Sequence, residues 1–283
     1  MLRTRIVTAV VAVCVVLAAL FALPPQIWGL VTLLVAVGAA YEWALLVGFR
    51  KRTWLLFVAG TFLIAFSLLF APSSGFARGW PEDVVLIVCG GAALFWLVVA
   101  PLWVIRRWSA RSRLLMALVG WLVLIGAWVA LVELQARSPW LVLAAMAVVW
   151  IADTAAYFTG RAFGRSKLAP QVSPSKTWEG VHGAVAAVVV YALVLVPFAH
   201  AAGFSLPIDA LTTAAWIAFA AVVTAVSVVG DLYESLLKRQ AGVKDSGHLL
   251  PGHGGILDRI DAQLAALPLL AIAAQLFLTK APA

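Results

Sequence analysis

Apolar residues fall along this chain in long blocks, and each block is broken by proline, glycine or charge. Nine such runs stand out, at roughly 5–23, 27–49, 54–71, 84–105, 114–134, 140–160, 182–202, 210–230 and 256–278. A run of about 20 apolar residues is what a helix needs to cross the hydrocarbon core of a bilayer. In lipid every backbone N–H and C=O must find its partner within the segment, so runs of this kind predict helices. The pattern therefore predicts an all-α, polytopic integral membrane bundle of about nine transmembrane helices. The first run follows the basic start "MLRTR" and is short, so a cleaved signal peptide is the alternative to a retained span. The lack of a small-residue cleavage site before "LPPQIWG" favours retention.

Composition agrees, with 64% hydrophobic and 11% charged residues over 283 positions and a mean hydropathy of +1.05. That is too apolar for a soluble domain. Cys14 and Cys89 lie inside apolar runs without metal-ligand spacing or a disulfide framework. The net charge of +8, from 20 Lys and Arg against 12 Asp and Glu, fits nucleic acid, anionic lipid, a polyanionic substrate or membrane topology. Distribution separates these. With the amino terminus cytoplasmic, segments 1–5, 50–53, 106–113, 161–181 and 231–255, together with Arg259, hold 17 of the 20 basic residues. Only Arg78, Arg137 and Lys280 fall outside. This positive-inside bias accounts for most of the charge without nucleic acid.

The inside loops differ among themselves. Segments 50–53 and 106–113 are bare basic clusters that anchor topology, whereas 161–181 and 231–255 mix acids, bases, Ser, Thr, Gly and Pro. Residues 1–135 therefore read as a transmembrane scaffold of about five spans. Residues 136–283 read as the catalytic region, with about four spans and two active-site loops.

The densest polar stretch is "GDLYESLLKRQAGVKDSGHLLPGHGGILDRID". If the eighth span continues as a helix past Gly230, then Asp231, Glu234 or Ser235, and Lys238 share one face. Asp258 and Asp261 stand three apart on the helix that opens the ninth span. Each helix thus offers a carboxylate at its polar end, a set suited to a hard divalent cation that also binds water and phosphate oxygens. The glycines of "HGG" let backbone N–H groups approach an anion at a helix start, and Lys238, Arg239, Lys244 and Arg259 can neutralise phosphate. Taken singly, an Asp at a helix end is more often a cap or an ion-pair partner.

The second constellation is "WIADTAAYFTGRAFGRSKLAPQVSPSKTWEG". Asp153 lies eight residues before Arg161, about 12 Å below the charged end of a continuous helix. An ionisable group at that depth is a functional candidate, and Tyr157 shares its face. Ser173, Ser175, Lys176 and Thr177 form a set able to hold phosphate, with Glu179 beside them. The competing reading is a helix cap by Ser175 or Thr177 with Pro174 as turn residue. Glu42 is read as a structural acid facing the bundle, with contact to the site as the alternative. Glu133 and His200 lie near outer ends, and His182 caps or packs. His248 and His253 resemble a zinc pair but have no third ligand at suitable spacing, which leaves phosphate or headgroup contact.

The run from Ser235 to Asp261, read as SxxKRxxxxKDxGxxxPxHGGxxDRxD, resembles the signature of the phosphatidate cytidylyltransferase (CDP-diacylglycerol synthase) family without departure. "DTAAY" from Asp153 and "SPSKTWEG" from Ser173 are similar to upstream blocks of that family. The likeness covers most of residues 145–265; the first 135 residues match only as hydrophobic spans. The resemblance implies a multi-pass inner-membrane enzyme with a cytoplasmic site that makes CDP-diacylglycerol and pyrophosphate from CTP and phosphatidate. It implies metal-bound carboxylates at Asp231 and Asp258, with Mg2+ and room for a second cation, and a homodimer. Lys244 and Asp261 join these two carboxylates in the catalytic set. Substrate binding is assigned to Asp153, Tyr157, Ser173, Ser175, Lys176, Thr177, Glu179, Ser235, Lys238, Arg239, Asp245, His253, Gly254, Gly255 and Arg259, with His253 a binder and not a base. Another CTP-dependent membrane enzyme, such as a polyprenol kinase, is the nearest rival. A transporter is disfavoured because the polar residues lie on one side and no inverted repeat is evident.

Overall fold

The computed structural model describes residues 13–71, 79–109, 112–201, 204–205, 209–250, 252, 254–277 and 279–280, the side chains of 200, 204–205 and 279–280 excepted. Nine helices lie among them: α1 (Val13–Ala22), α2 (Pro25–Leu46), α3 (Lys51–Leu69), α4 (Glu82–Arg106), α5 (Arg113–Arg137), α6 (Pro139–Phe163), α7 (Trp178–Ala201), α8 (Ala210–Ala241) and α9 (Leu257–Phe277). All except α1 are long and apolar enough to cross a membrane. The first span overlaps α1, and its retention turns on residues 1–12, which lie outside the described residues.

Two short antiparallel ladders accompany the helices. β1 (Lys167–Ala169) pairs with β2 (Ser173–Thr177), and β3 (Phe204–Ser205) pairs with β4 (Thr279–Lys280). The β1–β2 hairpin arises where the sequence reading has a loop. Pro170 sets the turn, across which the Val172 N–H donates to the Ala169 carbonyl at 3.1 Å. As a result α7 starts at Trp178, four residues before the expected start at 182.

The bundle is organised around α5 and α9, whose apolar stretches are 67% and 61% buried, against 11% for α7. Buried contacts follow the rules of packing in lipid, with small residues at helix crossings and polar side chains bridging them. Ala262, Ala265, Ala266, Ala271 and Ala274 are all buried along α9. Indole N–H groups donate from Trp43 to the Met116 carbonyl at 3.1 Å, from Trp121 to the Phe57 carbonyl at 3.2 Å and from Trp128 to the Gly29 carbonyl at 3.1 Å. These bonds tie α2 and α3 to α5. Helix α4 contains two wider π-type stretches, Val85–Cys89 and Phe95–Val99, before Pro101.

Candidate active site

The eighth span does continue past Gly230. Helix α8 runs to Ala241 and closes at Gly242, whose φ of 71° is the left-handed conformation that glycine supplies at a helix end. Its last third is amphipathic. Tyr233 points into the core, ringed by Phe95, Trp96 and Trp103 at centroid distances of 5.6 Å. That anchor turns Asp231, Glu234, Ser235 and Lys238 toward α9 and the β1–β2 hairpin. At Gly230 the two helices nearly touch, since a Cβ there would lie 2.6 Å from the Asp261 carbonyl oxygen and 2.9 Å from the Ala265 Cβ. Any side chain at 230 would push Asp231 away from Asp261.

Two linked ion-pair systems occupy this junction. Lys176 of β2 pairs with Asp231, which also accepts from the Ser235 hydroxyl at 3.2 Å. Asp153, exposed on α6, lies within electrostatic reach of both Lys176 and Asp231, and Asp261 lies within reach of Asp231. Lys238 bridges Glu234 at 2.6 Å and Asp258 at 2.7 Å. Its ammonium is therefore satisfied by carboxylates of the protein itself. Glu234 is buried, and neither of its oxygens has a hydrogen bond of good geometry; the ion pair alone holds it.

Asp258 organises the loop between α8 and α9. Its Oδ2 accepts from the Ser246 N–H at 2.9 Å, the Gly255 N–H at 2.9 Å and the Ser246 hydroxyl at 3.0 Å, while Oδ1 takes Lys238. Gly254, with φ of 84°, makes the turn that lets its carbonyl accept from the Leu250 N–H at 3.0 Å. The carboxylate also stands in the first turn of α9, where the helix dipole favours negative charge.

Of the residues expected at the site, the fold brings together Asp231, Asp258, Asp261, Lys176, Ser235, Lys238 and Gly255, with Asp153 close by. Thr177 acts as the cap weighed above, its hydroxyl accepting from the Gly180 N–H at 3.2 Å. Glu179 accepts from the Ser166 N–H at 3.1 Å, which ties the hairpin base to α7. Tyr157 accepts from Arg161 on its own helix at 2.9 Å, and Arg239 donates to the Val172 carbonyl at 3.4 Å. Lys244, Asp245 and Arg259 are exposed around the loop, Ser173 and Ser175 lie on the hairpin, and Gly254 packs against Asp258, where a Cβ would stand 2.9 Å from Oδ2. His253 and Pro251 lie outside the described residues, as does the side chain of His200. Sequence reasoning passed over Ser246, which occupies a variable position of the motif, and left Glu234 out of the site. Glu42 reaches the site loop from α2.

Among the described residues no three Asp, Glu, His or Cys side chains converge as a ready cation cage. Asp231, Asp258 and Asp261 nevertheless supply hard carboxylate oxygens. A cation that keeps its waters and takes phosphate oxygens needs only one or two of them, so this donor set fits Mg2+. Asp231 is the most adaptable of the three, because its partners are side chains and not backbone amides.

Comparison with known proteins shows the family. The profile of the cytidylyltransferase family matches residues 3–277. A phosphatidate cytidylyltransferase of Pseudomonas aeruginosa is 40% identical over 280 residues, covering 96% of each chain. One of Haemophilus influenzae is 37% identical over 286 residues, covering 95% of this chain and 96% of its own. One of Thermotoga maritima is 44% identical over 119 residues, 42% of this chain and 43% of its own. With its acidic, basic and glycine positions gathered at one helix junction and a profile match along nearly its whole length, the chain belongs to the cytidylyltransferase family.

Proposed function

We propose that this membrane protein is a phosphatidate cytidylyltransferase, which transfers CMP from CTP to phosphatidate and releases pyrophosphate. The observation that carries this reading is the convergence of three aspartates and two lysines where α8 meets α9, at one end of an apolar bundle. A soluble nucleotide and a lipid headgroup can meet only at such an end. A phosphatidate oxygen attacks the α-phosphorus of CTP in line; the new P–O bond forms as the bond to the β-phosphate bridging oxygen breaks, and pyrophosphate departs with that electron pair. The attacking phosphomonoester, with a second pKa near ~6, is already largely ionised at neutral pH, so no strong base is needed. Positioning and charge neutralisation supply the acceleration.

Asp231 and Asp258 would hold Mg2+, which when bound neutralises phosphate charge. The chain's own residues do the rest. Lys176 sits on a hairpin and can leave Asp231 for a phosphate oxygen, while Lys244 and Arg259 flank the loop at its exposed rim. The same reading includes a homodimer and an inner-membrane location with the site end cytoplasmic. The orientation is supported by basic residues clustered at that end. The test is purified protein in mixed micelles with CTP, phosphatidate and Mg2+. CDP-diacylglycerol and pyrophosphate in equal amounts, lost on chelation, are expected; free CDP with a phosphorylated lipid alcohol would contradict the reading and favour a kinase.

A further inference from the structure

Glu42 is a lone acid in the apolar sequence of α2, and its side chain is wholly buried. It lies beneath the loop that joins α8 to α9. Its Oε2 accepts from the Ser246 hydroxyl at 3.0 Å and from the Leu257 N–H at 2.9 Å. The Ser246 oxygen also stands 3.0 Å from Asp258 Oδ2 and accepts from the Asp258 N–H at 3.3 Å. One hydroxyl proton serves one carboxylate at a time, so Ser246 links the two acids. Glu42 Oε1 has no hydrogen-bond partner among the described residues.

Two motif glycines close over this carboxylate. A Cβ at Gly247 would collide with the Glu42 side chain, and one at Gly255 would collide with Ser246 Oγ and Glu42 Oε2. Neither residue has a positive φ. What these positions require is room, and Glu42 is what fills it. One turn earlier on α2, Gly38 seats Ile256 of the same loop, since a Cβ there would lie 2.6 Å from the Ile256 Cδ1.

A buried carboxylate with no cation partner among the described residues and one idle oxygen is a poor stabiliser; an apolar side chain of similar volume would hold a helix as well or better. We propose that Glu42 is a positioning residue for the active site. It fixes the loop so that Asp258, and through Asp258 the Lys238 ammonium, keep the placement the reaction needs. The inference rests on the reading of Asp258 as part of the reacting machinery.

The test compares Glu42→Met and Glu42→Gln with Glu133→Gln, which breaks a similar buried contact at the opposite end. Each full-length variant is purified in detergent. Amide hydrogen exchange is measured over 244–257, and kcat and KM are measured per folded molecule. Glu42→Met should speed exchange in the loop and lower kcat about tenfold or more, with KM changed less than about threefold, because small misplacements of reacting groups act on turnover. Glu42→Gln keeps an acceptor oxygen and should recover a large part of kcat. Glu133→Gln should lower folded yield and leave kcat intact. If Glu42→Met fails to fold, Ser246→Ala, which cuts the link and leaves the helices alone, takes its place with the same expectation. A kcat within about twofold of the parent in both Glu42 variants overturns the proposal. So does lost kcat with unchanged loop exchange. Should the parent protein itself make no CDP-diacylglycerol, the functional reading fails separately, and loop exchange alone judges the clasp.

Discussion

Each end of the bundle buries a glutamate that holds backbone, and the two are finished differently. At the end away from the site, Glu133 uses both oxygens: Oε2 accepts from the Trp80 N–H at 2.7 Å and Oε1 pairs with Arg137 at 2.6 Å. Arg137 continues to the Ala274 carbonyl at 3.1 Å and to the Gln275 side chain, which locks the end of α9. At the site end, Glu42 has no cation partner among the described residues and uses one oxygen. Buried polar groups are normally satisfied, and among the described residues both ends leave some without a hydrogen-bond partner: Gln135 Oε1 and Trp28 Nε1 at the far end, Glu42 Oε1 and the Glu234 oxygens at the near end. The near-end ones are carboxylates, the costlier groups to leave so, which marks that end as shaped for something beyond stability. The far end closes the fold; the near end holds groups in readiness.

The contrast can be broken in order of expected effect. Lys238→Met removes the one cation that Glu234 and Asp258 share. Leaving a buried carboxylate unpaired should cost about 3 kcal/mol or more, read as a lower midpoint in denaturant titration of micellar protein. Stability unchanged by this substitution would mean the ion pairs are not formed. Asp258→Asn should lower turnover by about 10²-fold, the scale of one lost preorganised contact. Because Asp258 also gathers loop amides, this variant should show faster amide exchange over 244–257 as well. The smallest effect belongs to Ser138→Ala at the far end, which removes the cap on the Trp140 N–H at the start of α6. About 1 kcal/mol of stability should be lost with turnover per folded molecule unaltered.

Much of this was legible before any coordinates. Hydropathy locates the spans because lipid demands helices, and the i, i+3, i+4, i+7 spacing of Asp231, Glu234, Ser235 and Lys238 gives them a shared face once α8 continues past its apolar run. The hairpin was missed because its strands are short and polar, and its signal is one proline turn. The resemblance marks Asp258 as a metal ligand; that the same carboxylate gathers the Ser246 and Gly255 amides depends on the path of the loop, which spacing does not encode. Glu42 was the hardest, since it meets Ser246 across 204 positions of sequence. Only the glycines at 247 and 255 hint that something must fit beneath them.

The central claim, that the α8–α9 junction performs the reaction while the opposite end serves the fold, is tested most directly by Asp231→Asn. Its carboxylate is held by Lys176 and Ser235 and by no backbone amide, so the change should barely affect folding. Specific activity and folded yield are measured on the same detergent-purified preparation. The expected result is a normal yield with CDP-diacylglycerol synthesis down by about 10²-fold or more. Near-normal activity per folded molecule would contradict the account.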